Sequence, residues 1–586
     1  MIERYEPKPF IQNSLLRFSL FLSELGVVFI MDVVSVVQSY ILQILEESGP
    51  GMKVMLLDSN TTPMVSLAFA QSALMRQEVY LFERLSNNPA WEDMRHLKCI
   101  CIIKPDPTTL SNLCTELSKP RYGSYHIYFT NILPKTSVKQ LAEADMQEVV
   151  KEVKEVYLDY LPVGSHLYSL SLPLPLQPMG SRWVEDSLTK ASQAITALLL
   201  SLKLAPAIRY QDGSGPASIL ANSVKSIMAR EGGLFSPGQV ETTPILLILD
   251  RREDPVTPLL TQWTYQAMVH QMIGINNNRV NLVGAPGVTK DLQDIVLSSS
   301  QDEFYAANLY SNFGEIGQTI KVLMEEFQNK AKSHQKIDSI ADMKNFVENY
   351  PQFKKMSGTV SKHVTLVSEL SRLVSSRNLL EISETEQEIV SGGDHKEMLK
   401  LVTELIQKEK TSLEDATRLC MLFALRFESS HSSSVRSVVG LLRKKGGEKE
   451  SRLVQNLQRY AGQNARKGDL FADQTTTKNI TGKLFKGLKG VENVYSQHSP
   501  QLKQILEDCI KNRLKSGSFP LLGSHDGRVK TIVVFIVGGF TYEEAFTVHQ
   551  LNTSLGVQII LGGTSTLNSR AFFDQIEHSF PATGQD

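Results

Sequence analysis

Short apolar runs alternating with helical stretches predict an α/β protein with parallel sheets and a large, mainly helical insertion. Residues 31–160 hold four apolar runs of strand length, separated by stretches with helical spacing. Three more runs, Ile245–Leu249, Thr531–Val537 and Val557–Leu561, are apolar on both faces yet lie far apart in the chain. Between them, residues 251–500 repeat apolar side chains every three or four positions. Strands separated by helices make βαβ units, whose strands are covered on both faces.

The first thirty residues stand apart. Leu15–Val37 is strongly apolar, but Arg17, Glu24 and Asp32 interrupt it. No clean span of about 20 apolar residues remains to cross a bilayer. No small-residue cleavage site follows, so a signal peptide is a poor fit. Val33–Glu47 has helical periodicity, and Lys53–Asp58, Gln77–Phe82, Cys99–Ile103 and Ser124–Phe129 read as strands. A helix is expected from about Val138 to Tyr157, opening on Ser137-Val138-Lys139-Gln140 as a capping box. These elements make residues 31–160 a first α/β domain.

A second α/β domain reads as split. Residues 161–250 supply strands near His166–Leu172 and Ile245–Leu249, with a helix near Ser187–Leu204. Residues 501–586 supply Thr531–Val537, the pair Gly538-Gly539, a helix capped by Thr541 through Glu544, and Val557–Leu561. Short apolar strands at a chain end need a sheet to join, so Thr531–Val537 should share a sheet with Ile245–Leu249. Residues 251–500 are then an insertion. Its helical stripes include Phe304, Leu309, Phe313, Ile316, Ile320, Leu323, Met324 and Phe327, then Ile340–Tyr350, and beyond Pro351 the set Phe353, Met356, Val360, Val364, Val367 and Leu370. Ser429–Ser434 and Arg443–Arg452 look like exposed linker.

Composition narrows the function. The chain has 586 residues, 42% apolar and 21% charged, with a net charge of −1. That length suggests three or four domains. No basic bias points to nucleic acid. Of the five cysteines only Cys99 and Cys101 are close, with the spacing of one strand face rather than a zinc or redox motif. The rival class is a nucleotide-binding or hydrolytic α/β enzyme, since the fold alone does not decide function. The sequence has no Walker-type loop, G-x-G-x-x-G after the first strand, G-x-S-x-G elbow or H-E-x-x-H. No cofactor, metal or catalytic residue is expected.

Asp250-Arg251-Arg252-Glu253-Asp254-Pro255-Val256-Thr257-Pro258 follows the strand Ile245–Leu249. It reads as a charged turn in which Asp250 and Asp254 cap and pair with Arg251. Thr257 is then the N-cap of a helix with Pro258 in its first position. The whole string from Leu246 to Ala267 resembles the signature of the Sec/Munc (SM) family, SNARE-binding regulators of membrane fusion. So do Met343–Lys355, Lys486–Tyr495 and Ile536–Ala545, and the likeness covers nearly all of residues 31–586. In this resemblance Met31 aligns with the usual start, which makes residues 1–30 an extension of unknown role. Asn276–Arg279 and Ser339–Met343 are similar to the trans-Golgi and endosomal branch.

The resemblance implies a three-domain arch without catalytic activity, located in the cytoplasm and peripherally on Golgi, trans-Golgi network and endosome membranes through its partners. Those partners would be a syntaxin-type SNARE, an assembling SNARE complex that includes a vesicle SNARE, and an accessory Rab effector. It also implies two sites. One is a pocket for a syntaxin N-terminal peptide at Phe129, Val138, Leu141 and Glu143. The alternative is that Val138 and Leu141 simply pack their helix on the sheet. The other is a helical hairpin on which SNARE helices meet. There Pro351 should end or kink the helix. Phe353, Met356, Val360 and Val364 would form the apolar stripe, and Lys354, Lys355 and Lys362 its charged flank. The alternative is an ordinary helix pair packed on its own domain.

Overall fold

The computed structural model describes residues 8–9, 32–86, 93–180, 182–235, 242–335, 340–471, 497–525 and 527–581, with side chains for all of these except 8–9 and 332–351. Strands β1 (Lys8–Pro9), β2 (Lys53–Leu57), β3 (Val79–Arg84), β4 (Met94–Ile103), β5 (Tyr122–Phe129) and β6 (Val150–Glu155) form one sheet. Its order is β1-β6-β5-β4-β2-β3, and every pair is parallel. All five residues of β2 are buried, as a strand covered on both faces requires. Helix α1 (Val33–Glu47) starts at Asp32, whose carboxylate accepts from the N–H groups of Val34 and Ser35 at 2.9 and 3.1 Å. Helix α2 (Pro107–Ser118) has Asp106 as its cap and proline in its first turn. Cys99 and Cys101 are buried side by side on β4, their sulfurs 3.6 Å apart.

The helix expected over Val138–Tyr157 is half as long. Helix α3 runs Lys135–Ala144, and Val150–Glu155 is strand β6. Asp145 is the reason. Its carboxylate accepts from the N–H groups of Val149 and Val150 at 2.8 and 3.1 Å, which turns the chain back into the sheet. The capping box at Ser137 is also absent. The helix starts three residues earlier, at Lys135 behind Pro134, without a side-chain cap.

The second sheet contains β7 (Leu161–Gly164), β8 (Leu167–Ser169), β9 (Ala207–Tyr210) and β10 (Ile245–Asp250). After a separate hairpin of β11 (Arg279–Asn281) and β12 (Asp294–Val296), the chain returns to this sheet with β13 (Leu521–Leu522), β14 (Thr531–Val537) and β15 (Gln558–Gly563). The order is β13-β9-β10-β14-β15-β8-β7. The centre is parallel, while the outermost pairs, β13 with β9 and β7 with β8, are antiparallel. The two far-apart apolar runs are direct neighbours, Ile245 facing Ile532 through to Asp250 facing Val537. One apolar cluster spans both sheets, with Ile41 of α1, Ile100 and Tyr128 from the first sheet, and Leu246, Val533 and Phe535 from the second.

Between β10 and β13 the chain is mainly helical. Helices α4 (Tyr265–Met272), α5 (Glu303–Asn308), α6 (Phe313–Gln335) and α7 (Ile340–Ser376) precede helices over Leu379–Ser391, His395–Gln407, Leu413–Phe427, Ser432–Lys444 and Glu448–Ala461. The last two overturn the linker expected at Ser429–Ser434 and Arg443–Arg452. Val435, Val438, Val439 and Leu442 are buried along one face of Ser432–Lys444, and the charged residues line the other side. The motif Lys486–Tyr495 lies outside the described residues.

The charged turn after β10 is a clamp, with partners that differ from expectation. Arg251 is fully buried and pairs with Glu544, not with the aspartates. Its Nη2 donates to Glu544 at 2.5 Å, its Nε to Gly539 O at 3.2 Å and its Nη1 to Asp254 O at 3.0 Å. Asp250 instead takes Arg252, at 2.6 Å. Asp254, not Thr257, supplies the cap, accepting from Thr257 N–H at 3.1 Å. Thr257 opens a single 3-10 turn, and α4 begins only at Tyr265. Glu544 belongs to α8 (Tyr542–Leu555), whose capping box with Thr541 forms as the sequence predicts. Burial raises the Glu544 carboxyl, and the Arg251 charge pulls it back only in part. Gly538 and Gly539 form the turn against this guanidinium, both at φ +95°, and a Cβ on Gly538 would stand 2.7 Å from that of Arg251. The turn is filled by the protein itself.

His270 on α4 is buried against the Tyr542 ring, edge to face at 5.1 Å, and its Nδ1 accepts from Ile275 N–H at 3.1 Å. Burial lowers its pKa to about 4.

Glu544→Ala should strip the buried guanidinium of its counter-charge and cost about 3–5 kcal/mol, read as a lower urea midpoint. An unchanged midpoint would show that the clamp does not hold the sheet. A second outcome concerns pH. His270 is neutral in the folded chain and charges more easily when unfolded, so its stabilisation is complete above pH 6.5 and declines as pH falls toward 4. At pH 5 the loss is about 2 kcal/mol, and His270→Gln should flatten the fall of the melting midpoint between pH 6.5 and 4.

Candidate interaction sites

The first predicted site lies on α3 and the end of β5. Leu141 and Phe129 have no exposed surface, and Val138 keeps 8%. All three join one apolar cluster with Leu113 and Leu117 of α2 and with Tyr125 and Ile127 of β5. The structure thus brings Phe129, Val138 and Leu141 together, but as the packing between helix and sheet. Glu143 faces away from them. It is solvent-exposed and lies 3.7 Å from Lys139 one turn earlier. The accessible part of this region is the outer face of α3, bearing Lys139 and Glu143.

The second site is the antiparallel pair α6 and α7. Helix α7 is 37 residues long and continues through Pro351, so the helix does not end there. Proline removes one backbone hydrogen bond, and the burial of Val360, Leu366, Leu370 and Val374 along the later half of α7 offsets that loss. The predicted stripe faces the protein's own side chains. Phe353 stacks on Phe327 of α6, with centroids 5.2 Å apart. Met356 is half-buried, Val360 is buried, and Val364 packs against the core of the helical region. Lys354 and Lys355 are exposed as expected, but Lys362 is half-buried and ion-paired with Asp302. Sequence spacing passes over Val322 and counts Met324 in the apolar stripe, yet both side chains are exposed on α6. Val322 falls between the marked stripe positions and Met324 is one of them, and only the packing shows which face stays open.

A crevice of about 1230 Å³ lies where α1, β7, β8, α5 and α8 approach one another. Its lining includes Asp32 and Gln38 at α1, His166, Tyr310 and His549. His166 Nε2 lies 3.1 Å from Tyr310 OH, and burial lowers the His166 pKa to about 4. Among the described residues, no three His, Cys, Asp or Glu side chains are grouped to hold a metal ion. Among them, too, no helix is long and apolar enough to cross a membrane.

Residues 53–575 match the model of the Sec1 family. The chain is 51% identical over 551 residues to vacuolar protein sorting-associated protein 45 of Mus musculus, covering 93% of this chain and 96% of that one. Against the protein of the same name from Saccharomyces cerevisiae it is 36% identical, covering 90% and 94%. The solved structure of the SM protein Vps45 in complex with the Qa SNARE Tlg2 superposes with a TM-score of 0.88 at 43% identity, over 94% of this chain and 98% of that one. The Unc18–syntaxin 1 complex from Monosiga brevicollis is 20% identical with a TM-score of 0.78, and so shares the fold. Full-length sequence similarity and superposition of the whole α/β and helical framework agree: the chain belongs to the Sec1 family.

Proposed function

We propose that this protein binds a syntaxin-type SNARE of the trans-Golgi network and endosomes and promotes SNARE-complex assembly in vesicle transport to the vacuolar system. One observation carries this reading: the likeness, at a TM-score of 0.88 and 43% identity, to an SM protein solved with its Qa SNARE. The protein acts by binding rather than catalysis, and the clamp around Arg251 supports this, because its ionic groups are partnered within the protein. Membrane association is peripheral, through partners, on Golgi and endosome membranes. The working domains are an extension over 1–30, a syntaxin-binding domain over 31–160, a domain shared by 161–250 and 501–586, and a helical insertion over 251–500, arranged as an arch.

Two surfaces take the partners in this reading. The outer face of α3, with Lys139 and Glu143 above the Val138–Leu141 packing, receives the syntaxin N-terminal peptide. The α6–α7 pair receives SNARE helices in a groove, beginning at Val322, Met324 and the Phe327–Phe353 stack.

Glu143→Lys should weaken binding of a syntaxin N-terminal peptide about tenfold, equivalent to about 1.4 kcal/mol, without moving the melting midpoint. Calorimetric titration reads the affinity, and an unchanged value removes this face from the site. Leu141→Ala should instead cost about 2–5 kcal/mol of stability, because it opens a cavity in a closed core.

Phe353→Asp should slow fusion of liposomes carrying the cognate SNAREs while peptide binding persists, and Pro351→Ala should hasten it by restoring a backbone donor to α7. Unaltered fusion rates in both variants would make the pair ordinary packing.

A further inference from the structure

Helix α7 is about 55 Å long at 1.5 Å per residue, and its described side chains divide it in two. From Gln352 to Thr359 none is buried. From Val360 onward Val360, His363, Leu366, Leu370 and Val374 form a buried seam. The helix is therefore a lever, held over its later half and projecting over its earlier one. At the head of the seam sits a polar residue. His363 has no exposed surface, and Phe304 and Tyr265 wall its ring, at 4.7 and 5.8 Å between centroids.

Both ring nitrogens have partners. Nε2 is 2.9 Å from Asp302 Oδ2 and Nδ1 is 2.8 Å from Tyr265 OH. Asp302 is the hub. It caps α5 by accepting from Tyr305 N–H at 3.0 Å, and it pairs with Lys362. Burial raises its carboxyl, but the hydrogen bonds from His363 and Lys362 outweigh that and hold it ionised. Nε2 therefore carries the proton and donates to Asp302, and Nδ1 accepts from the Tyr265 hydroxyl. Three elements, α4, the loop before α5, and α7, meet at this ring.

An apolar seam is non-directional and tolerates rotation and sliding. Two hydrogen bonds to one rigid ring do not. The tip of α7 at Ile340 is 23 residues from His363, about 35 Å along the axis, so a 10° tilt at the seat displaces it by about 6 Å.

We propose that His363, held between Asp302 and Tyr265, is the positioning residue that sets the direction of the α6–α7 hairpin and so the register in which SNARE helices meet on it. This rests on the hairpin reading above. His363 touches no SNARE; it acts through the geometry of α7.

The test places nitroxide labels at Asn329→Cys on α6 and Lys396→Cys on the body, both exposed in the structure, and measures their distance distribution in the full chain. SNARE-dependent liposome fusion and syntaxin N-terminal peptide affinity are measured alongside. His363→Leu, which keeps the apolar packing and removes both hydrogen bonds, should broaden the distribution at least twofold and slow fusion about tenfold, with peptide affinity unchanged. His363→Gln, which can still donate and accept, should restore much of both. If His363→Leu proves unfolded, Asp302→Asn replaces it, with the same broadening expected. An unbroadened distribution in a folded variant overturns the proposal, whatever the fusion rate. Broadening with an unchanged fusion rate overturns the claim on SNARE register and counts against the hairpin reading. Slowed fusion without broadening leaves the hairpin reading standing and removes His363 from it.

Discussion

The buried Arg251–Glu544 pair is the constraint on which the rest of the molecule depends. It joins the turn after β10 to the helix after β14, two segments that meet only because their strands are neighbours in one sheet. An unpartnered guanidinium in that position would be strongly destabilising, so the pair favours the state in which residues 531–563 have joined the sheet. Most of the described chain between the two strands is thereby gathered into the helical body, while β13 rejoins the sheet. Gly538 belongs to the same constraint, because its missing side chain admits Arg251.

A second consequence concerns what the polar groups are for. In an α/β protein, charged residues after a parallel strand are common sites of chemistry. Here Asp250 is taken by Arg252, Asp254 by the following turn, and Arg251 by Glu544. Tyr265, His363 and Asp302 likewise form a closed hydrogen-bonded chain. Such buried polar networks fix orientation where apolar contact leaves freedom. In this protein they stand at the two joints that matter: where the helical body leaves the sheet, and where the long hairpin leaves that body. Under the proposed function, rigid joints matter more than reactive groups.

Side-chain spacing along the chain determined the elements and the class of fold. Runs such as Lys53–Leu57 and Thr531–Val537 have the length and two-sided apolarity of buried strands, and α1 and the capping box of α8 were readable residue by residue. These features depend on neighbours a few positions away, so they survive without knowledge of the rest. Long ordered motifs likewise made the family legible. Only the tertiary structure decided the partners. Nothing local tells Arg251 to choose Glu544 over Asp254, or gives His363 to Asp302, because those contacts close loops of tens to hundreds of residues. Asp145 ended a helix that periodicity would have continued, since its bonds to Val149 and Val150 compete with the helical ladder. The sites show the same limit. An apolar side chain at helical spacing can face its own core or a partner with equal chemistry. Leu141 and Val360 were assigned to the inside by the packing around them, and that packing left Glu143 and Val322 on the outside.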